Sequence, residues 1–158
     1  MPKLSAILHT HNDALRLGRA LDSLRPCDEV LVIDDDSEDD TVRIAQEHGA
    51  KVKTSIAGVT PGAYVMDSSY PWVLILRPDE ALADDLEASL FEWKEKDPNE
   101  GVACYKICIR VQNQDRWEQA RPEVRLVNRN LVNWIGEMPP NQTCETTLQG
   151  DVLRFRDP

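Results

Sequence analysis

The sequence has no apolar stretch near the roughly 20 residues that a membrane-spanning helix needs. Its apolar runs, such as Glu29 to Ile33 and Trp72 to Leu76, are far shorter. Basic residues are also in the minority, 18 against 28 acidic ones, and the formal charge of -10 repels nucleic-acid phosphates and anionic lipid headgroups. No basic patch offsets that charge, so the expected partners include no nucleic acid and no membrane span. Met1-Pro2-Lys3-Leu4 leads directly into a patterned segment without a signal-peptide apolar stretch, and a soluble cytoplasmic protein is the expectation.

Cysteine is scarce. Cys27, Cys104, Cys108 and Cys144 are too few and too irregularly spaced for a disulfide scaffold, and a cytoplasmic chain keeps them reduced. Cys104 and Cys108 alternate with apolar residues and read as small buried hydrophobes rather than a metal pair, because no His or second cysteine pair lies near. The sequon Asn141-Gln142-Thr143 is accidental without a secretion signal. Repeats and low-complexity segments are absent. What is present suffices for one compact domain with a core: 158 residues, 41% hydrophobic and 29% charged.

The pattern alternates strand and helix. Leu4 to Leu8 is a short apolar run, and Asn12 or Asp13 caps a helix with apolar positions Leu15, Leu17, Ala20, Leu21 and Leu24, ended by Arg25-Pro26. Glu29 to Ile33 is a second strand, stopped by Asp34-Asp35-Asp36-Ser37. A helix from Asp39 or Asp40 then runs to His48-Gly49, where glycine supplies a left-handed cap. Lys51 to Thr54 reads as a strand, Gly62 to Ser69 as a helix, and Pro71 to Leu76 as a strand buried on both faces. This order predicts a parallel twisted sheet whose ligands bind beyond the carboxyl ends of the strands. After a helix from about Ala83 to Lys96, Val102 to Val111, Glu123 to Val127 and Val152 to Phe155 read as antiparallel or mixed strands. The turn Asp97-Pro98-Asn99-Glu100-Gly101 thus divides a single domain into halves 1–96 and 97–158.

Polar clusters end three strands at the predicted binding edge: His9 to Asp13, Asp34 to Asp39, and Arg77-Pro78-Asp79-Glu80. Five acidic side chains within six residues repel one another unless a cation, helix N-termini or ligand donors compensate them. Two readings stand with nearly equal weight, a ligand-binding cluster and a solvated helix cap.

These segments resemble the family 2 glycosyltransferases. Ser5 to Asp13 looks like the family's opening strand and turn, Val32 to Thr41 is similar to its Val-Asp-Asp-Gly-Ser-x-Asp-x-Thr segment, and Pro71 to Glu80 resembles its strand ending in Asp-x-Asp-Glu. The likeness covers about residues 3 to 96 and is nearest the bacterial members that build lipopolysaccharide cores, a role in cell-envelope polysaccharide biosynthesis. It implies the Rossmann-like GT-A nucleotide-diphosphosugar transferase fold: an α/β architecture with a mostly parallel sheet, helices on both faces and a mixed C-terminal part. It also implies a nucleotide-diphosphate sugar donor, a glycan or lipid-linked acceptor, and a Mg²⁺ or Mn²⁺ ion. Carried over, His9, Thr10, Asn12, Asp34, Asp35 and Arg77 line the nucleotide pocket and Asp79 ligates the metal.

The departures are as informative. Arg77 stands where the first metal-binding Asp is usual; it pairs with the diphosphate directly or, as the favoured reading, forms a salt bridge with Asp34 or Asp79. Pro139-Pro140 replaces the His-Glu pair expected after Trp134-Ile135-Gly136, which leaves Glu137 as a weak candidate for the catalytic base. His9 and His11 alternate rather than converge on a metal. Trp72 and Trp93 belong to the core, and Trp117 alone is exposed enough to stack on a sugar. Two other functions compete with transfer: a non-catalytic nucleotide-sugar-binding module, and a receiver-like domain with Asp79 as phosphoacceptor, disfavoured because a strand and helix precede the acidic pair.

Overall fold

The computed structural model describes residues 1–98 and 101–156, so Asn99 and Glu100 of the predicted boundary turn lie outside the described residues. The strands are β1 Leu4–Thr10, β2 Glu29–Asp34, β3 Lys51–Thr54, β4 Trp72–Ile75, β5 Glu80–Leu82, β6 Cys104–Asn113, β7 Arg116–Trp117, β8 Arg121–Asn128 and β9 Thr147–Arg154. The helices are α1 Ala14–Asp22, α2 Thr41–Glu47 and α3 Asp84–Glu95. Pro61–Asp67 forms a 3₁₀ helix, with Pro61 in its first turn, in place of the predicted α-helix. Eight strands run in the order β3-β2-β1-β4-β8-β6-β9-β5, with β7 paired to β6 alone.

β1, β2, β3 and β4 are parallel, whereas β8 returns antiparallel to β4 and β6 antiparallel to β8. One sheet therefore spans both halves of the chain. Along β1 and β4 alternate residues enter two separate cores, as continuous apolar runs in central strands require. Leu4, Ala6, Leu8, Trp72 and Leu74 join the layer packed by α1, α2 and α3. Ile7, Val73 and Ile75 join Tyr64 and Val65 of the 3₁₀ helix and Val132 on the opposite face. The three α-helices thus share one face, and the other is covered by the 3₁₀ helix and the segment after β8. Leu17, Ala20 and Leu21 form the buried stripe of α1, while Leu15, expected on that stripe, is 83% exposed.

β8 carries a bulge. Tyr105 pairs with Leu126 but Lys106 pairs with Val124, so Arg125 is the extra residue, and Leu126 and Val124 enter different cores. The bulge aims Arg125 into the interior, where Nη1 donates to Ile75 O (3.1 Å) and Glu80 Oε1 (2.8 Å) and Nη2 donates to Glu80 Oε2 (2.9 Å). Neither side chain of this pair is measurably open to solvent, at 1% and 0% exposure. Glu80 Oε2 also accepts from Arg154 Nε at 3.0 Å. Burial alone would push the Glu80 carboxyl up, yet its arginine partners hold it below the usual range.

The segment following β8 folds back over the second core and brings Cys144 against β6, where it is disulfide-bonded to Cys104 with a Cα–Cα separation of 5.6 Å. This corrects the reading of both cysteines as reduced: spacing along the sequence could not show that the return of the chain places Cys144 beside Cys104. Cys27 and Cys108 are free.

At the edge opposite the polar clusters, Glu29 ties four segments together by accepting from Ser5 Oγ (3.0 Å), Lys51 Nζ (2.8 Å), the Ser69 backbone N–H (2.8 Å) and Ser69 Oγ. Burial raises its pKa, but these donors outweigh burial and bring it from 4.5 down to about 2. A depressed carboxylate pKa gives stability that is complete above the unfolded value and is lost as pH falls through the folded one. Urea denaturation between pH 5 and pH 2 should therefore show wild type losing on the order of 3 kcal/mol that Glu29→Gln does not lose. Removing one partner of the buried pair should cost more: Arg125→Met is expected to destabilise by about 3–5 kcal/mol, with part of the loss recovered in the Arg125→Met, Glu80→Gln double variant.

Candidate functional site

Four loops leave the carboxyl ends of the parallel strands on one side of the sheet, and together they enclose a cleft of about 790 Å³. His9 and Thr10 end β1 and His11 and Asp13 follow it, Asp35 follows β2, Ser55 to Val59 follow β3, and Arg77 to Asp79 follow β4. Glu137 and Met138 close the far rim. That rim is set by a close approach: the Gly62 N–H donates to Ile135 O at 2.9 Å, and the Trp134 carbonyl occupies the space a Cβ on residue 62 would need.

The first two loops interlock. Thr10 Oγ1 donates to Asp34 Oδ1 (2.7 Å), and Ser37 donates to Asp34 through both its backbone N–H (2.9 Å) and its hydroxyl (2.6 Å). The Asn12 N–H donates to Ser37 Oγ (2.8 Å), Asn12 Oδ1 accepts from the Glu38 N–H (2.8 Å), and the Asp13 N–H donates to Thr41 Oγ1 (2.8 Å). Asn12 and Asp36 take left-handed backbone angles, with φ of 52° and 50°, in keeping with the tolerance of Asn and Asp for that region. The acidic run is therefore compensated by hydroxyls and backbone N–H groups of its neighbours.

This arrangement sorts the residues expected in the pocket. His9, Thr10, Asp35, Arg77, Asp79 and Glu137 line the cleft. Asn12 and Asp34 do not: their side chains are used between the loops, and Asp34 is only 3% exposed. The Asp13 carboxylate also differs from its expected helix cap, accepting from the His11 N–H and the Arg16 guanidinium rather than from the backbone N–H groups of the first turn of α1. Residues not foreseen are Arg16 and the loop Ser55-Ile56-Ala57-Gly58-Val59, with Tyr64 behind it; the Ile56 N–H donates to Tyr64 Oη at 2.7 Å. The loop was detectable in principle, since it follows β3 just as the acidic run follows β2. Arg16 sits in the first turn of a helix and has no such signal.

Charge is distributed unevenly. Arg77 grips Asp79 with two bonds, Nε to Oδ1 at 2.9 Å and Nη2 to Oδ2 at 2.8 Å, and Arg16 Nη2 meets Asp13 Oδ1 at 2.6 Å. Burial acts against the Arg77 charge, but the Asp79 bonds outweigh it and raise its pKa. His9 is half-buried beside Tyr64, with ring centroids 6.2 Å apart; burial lowers its pKa and the Glu137 charge partly opposes that, so the ring stands neutral near pH 7. Asp35 lines the cleft and accepts from Ser55 Oγ at 2.9 Å.

The matched family model, Glycosyl transferase family 2, covers residues 5–149. A protein of Rickettsia felis described as an uncharacterized glycosyltransferase is 32% identical over 139 residues, covering 82% of this chain and 42% of that protein. One from Rickettsia conorii is 31% identical over 137 residues, with 81% and 42% covered. The chain spans less than half the length of these relatives. Among solved structures, residues 1–349 of S. aureus TarS superpose with a TM-score of 0.58 at 22% identity, over 74% of this chain and 38% of that one. Glucosyl-3-phosphoglycerate synthase of Mycobacterium tuberculosis, in complex with Mn²⁺, UDP and glucosyl-3-phosphoglycerate, gives 0.54 at 20% identity, over 71% and 45%.

The Mn²⁺ of that structure sharpens the question of whether this chain's residues suit a divalent ion. They do not: both Asp79 oxygens are held by Arg77, the Asp34 oxygens are taken by Thr10 and Ser37, and no three or more His, Cys, Asp or Glu gather as a metal set among the described residues. The same clamp leaves Asp79 poorly suited to act as a phosphoacceptor. The sheet order, the cleft at the carboxyl ends of its parallel strands and the match over residues 5–149 agree, and the chain belongs to glycosyl transferase family 2, with the GT-A nucleotide-diphosphosugar transferase fold.

Proposed function

We propose that the cleft binds the nucleotide-diphosphate part of a sugar nucleotide, and that the chain is the donor-binding part of an enzyme transferring the sugar to a hydroxyl of a glycan or lipid-linked acceptor. The observation that carries this is the convergence of four loops on one cleft whose floor offers arginines and whose wall offers Asp35 and Ser55. Arginine forks suit phosphate oxygens. The Asp35 carboxylate suits ribose hydroxyls or a base imide N–H, and Ile33, Val59 and Tyr64 supply an apolar wall for a base. TarS has been solved with UDP-GlcNAc, at a TM-score of 0.55 and 21% identity to this chain, and UDP is accordingly the first nucleotide to try.

In the proposed reaction the bond between the anomeric carbon and the diphosphate oxygen breaks as the acceptor oxygen bonds to that carbon. The nucleoside diphosphate leaves with the electron pair, and the acceptor proton passes to a base. Glu137, exposed on the cleft rim and charge-coupled to His9, is the residue we assign to that proton. The loss of a carboxylate pair at Arg77-Pro78-Asp79 favours a second reading, a binding module that holds the donor without turnover.

Calorimetry and a UDP-release assay separate these readings. UDP should bind wild type, and Asp35→Asn should weaken it by about tenfold, the worth of one hydrogen bond to a charged group. Glu137→Gln should keep UDP affinity and abolish UDP release from a UDP-hexose. Binding without release in wild type selects the module reading; absence of binding by UDP, GDP and CDP overturns both.

A further inference from the structure

We infer that this chain anchors the diphosphate of its donor with Arg77 and Arg16 and without a divalent cation. The inference rests on the donor-binding reading of the cleft and concerns how its charge is met. Both ion pairs at the cleft floor are oriented alike. Asp79 is 11% exposed beneath Arg77 at 44%, and Asp13 is 7% exposed beneath Arg16 at 36%. An incoming ligand therefore meets guanidinium from this side and not carboxylate.

A third cation reinforces the polarity. Arg19, one turn along α1 from Arg16, stacks its guanidinium over the Phe155 ring at 3.5 Å, and its Nε and Nη2 have no hydrogen-bond partner among the described residues. Asp79 and Arg16 are the charges that act on it most strongly after burial. Arg19 is not part of the cleft lining, but it adds a third positive charge beside the Arg77–Asp79 and Arg16–Asp13 pairs, within a chain whose overall charge is -10. The unpaired carboxylates of the cleft, Asp35 and Glu137, belong to other walls.

Donor counting leads the same way. A guanidinium has five N–H donors; Arg77 commits Nε and one Nη2 hydrogen to Asp79, which leaves three for phosphate oxygens. A divalent cation approaching Asp79 would have to displace Arg77 from both oxygens or sit against its like charge. A diphosphate meets no such obstacle.

The test is calorimetric titration of UDP and of uridine in EDTA and in Mn²⁺. The expected result is a UDP Kd in EDTA within about threefold of that in Mn²⁺. In EDTA, Arg77→Gln and Arg16→Gln should each weaken UDP roughly tenfold or more while leaving uridine affinity unchanged. Retained uridine binding shows that each variant is folded, and having two variants keeps the test sound if one fails. UDP binding that requires Mn²⁺, or that survives both substitutions in EDTA, overturns the inference and leaves the donor-binding reading standing. No binding of UDP in either buffer overturns both.

Discussion

A single buried carboxylate fixes the geometry on which the cleft depends. Glu80 begins β5 yet its oxygens reach three partners: Arg125 from the bulge in β8, Arg154 from β9, and the Arg77 backbone N–H at 2.9 Å in the turn that ends β4. A charge with no exposure is costly unless it is fully paired, and here the pairing comes from both halves of the chain. The Arg77-Pro78-Asp79 turn is thereby held from below by the N-terminal and C-terminal parts of the sheet at once. Removing the Arg125 side chain would leave the turn without its main support and the Ile75 carbonyl without its cation.

That support explains how a short turn can carry a clamped ion pair at the cleft floor. Arg77 donates its backbone N–H downward to Glu80 and its guanidinium to Asp79, so the backbone is fixed independently of the side chain facing the ligand. On the neighbouring loops the acidic run plays a different part. Asp34 and Asp39 use their oxygens to hold the turns after β1 and β2 together, and Asp35 is left facing the cleft. Neighbouring acidic residues have distinct roles because strand alternation and the left-handed Asp36 point them apart.

Much of this was legible from the sequence wherever the signal is local. The apolar runs at Leu4 to Leu8, Glu29 to Ile33 and Pro71 to Leu76 became β1, β2 and β4, and Trp72 and Trp93 are both 7% exposed in the core. Gly49 ends α2 with φ of 80°, the left-handed cap its position suggested. The salt bridge favoured for Arg77 exists, with Asp79 as its partner. What the sequence hid depends on contacts between distant residues. Neither the burial of Arg125 by a one-residue bulge, nor the covalent pairing of Cys104 with Cys144, nor the entry of Arg16 into the cleft leaves a periodic trace. Asp34 was inseparable from Asp35 by pattern alone, because only the position of Thr10 on the adjacent strand decides which of the two is withdrawn.

The most direct measurement is a UDP titration of isotopically labelled protein in EDTA, followed through backbone amide and arginine Nε–Hε resonances. The structure predicts that shifts concentrate on Asp35, Ser55 and the side chains of Arg16 and Arg77, with the Arg125 Nε signal unmoved in its buried pair. Shifts confined to the opposite edge around Trp93 and Tyr105, or a silent Arg77 side chain beside perturbed amides, would contradict it.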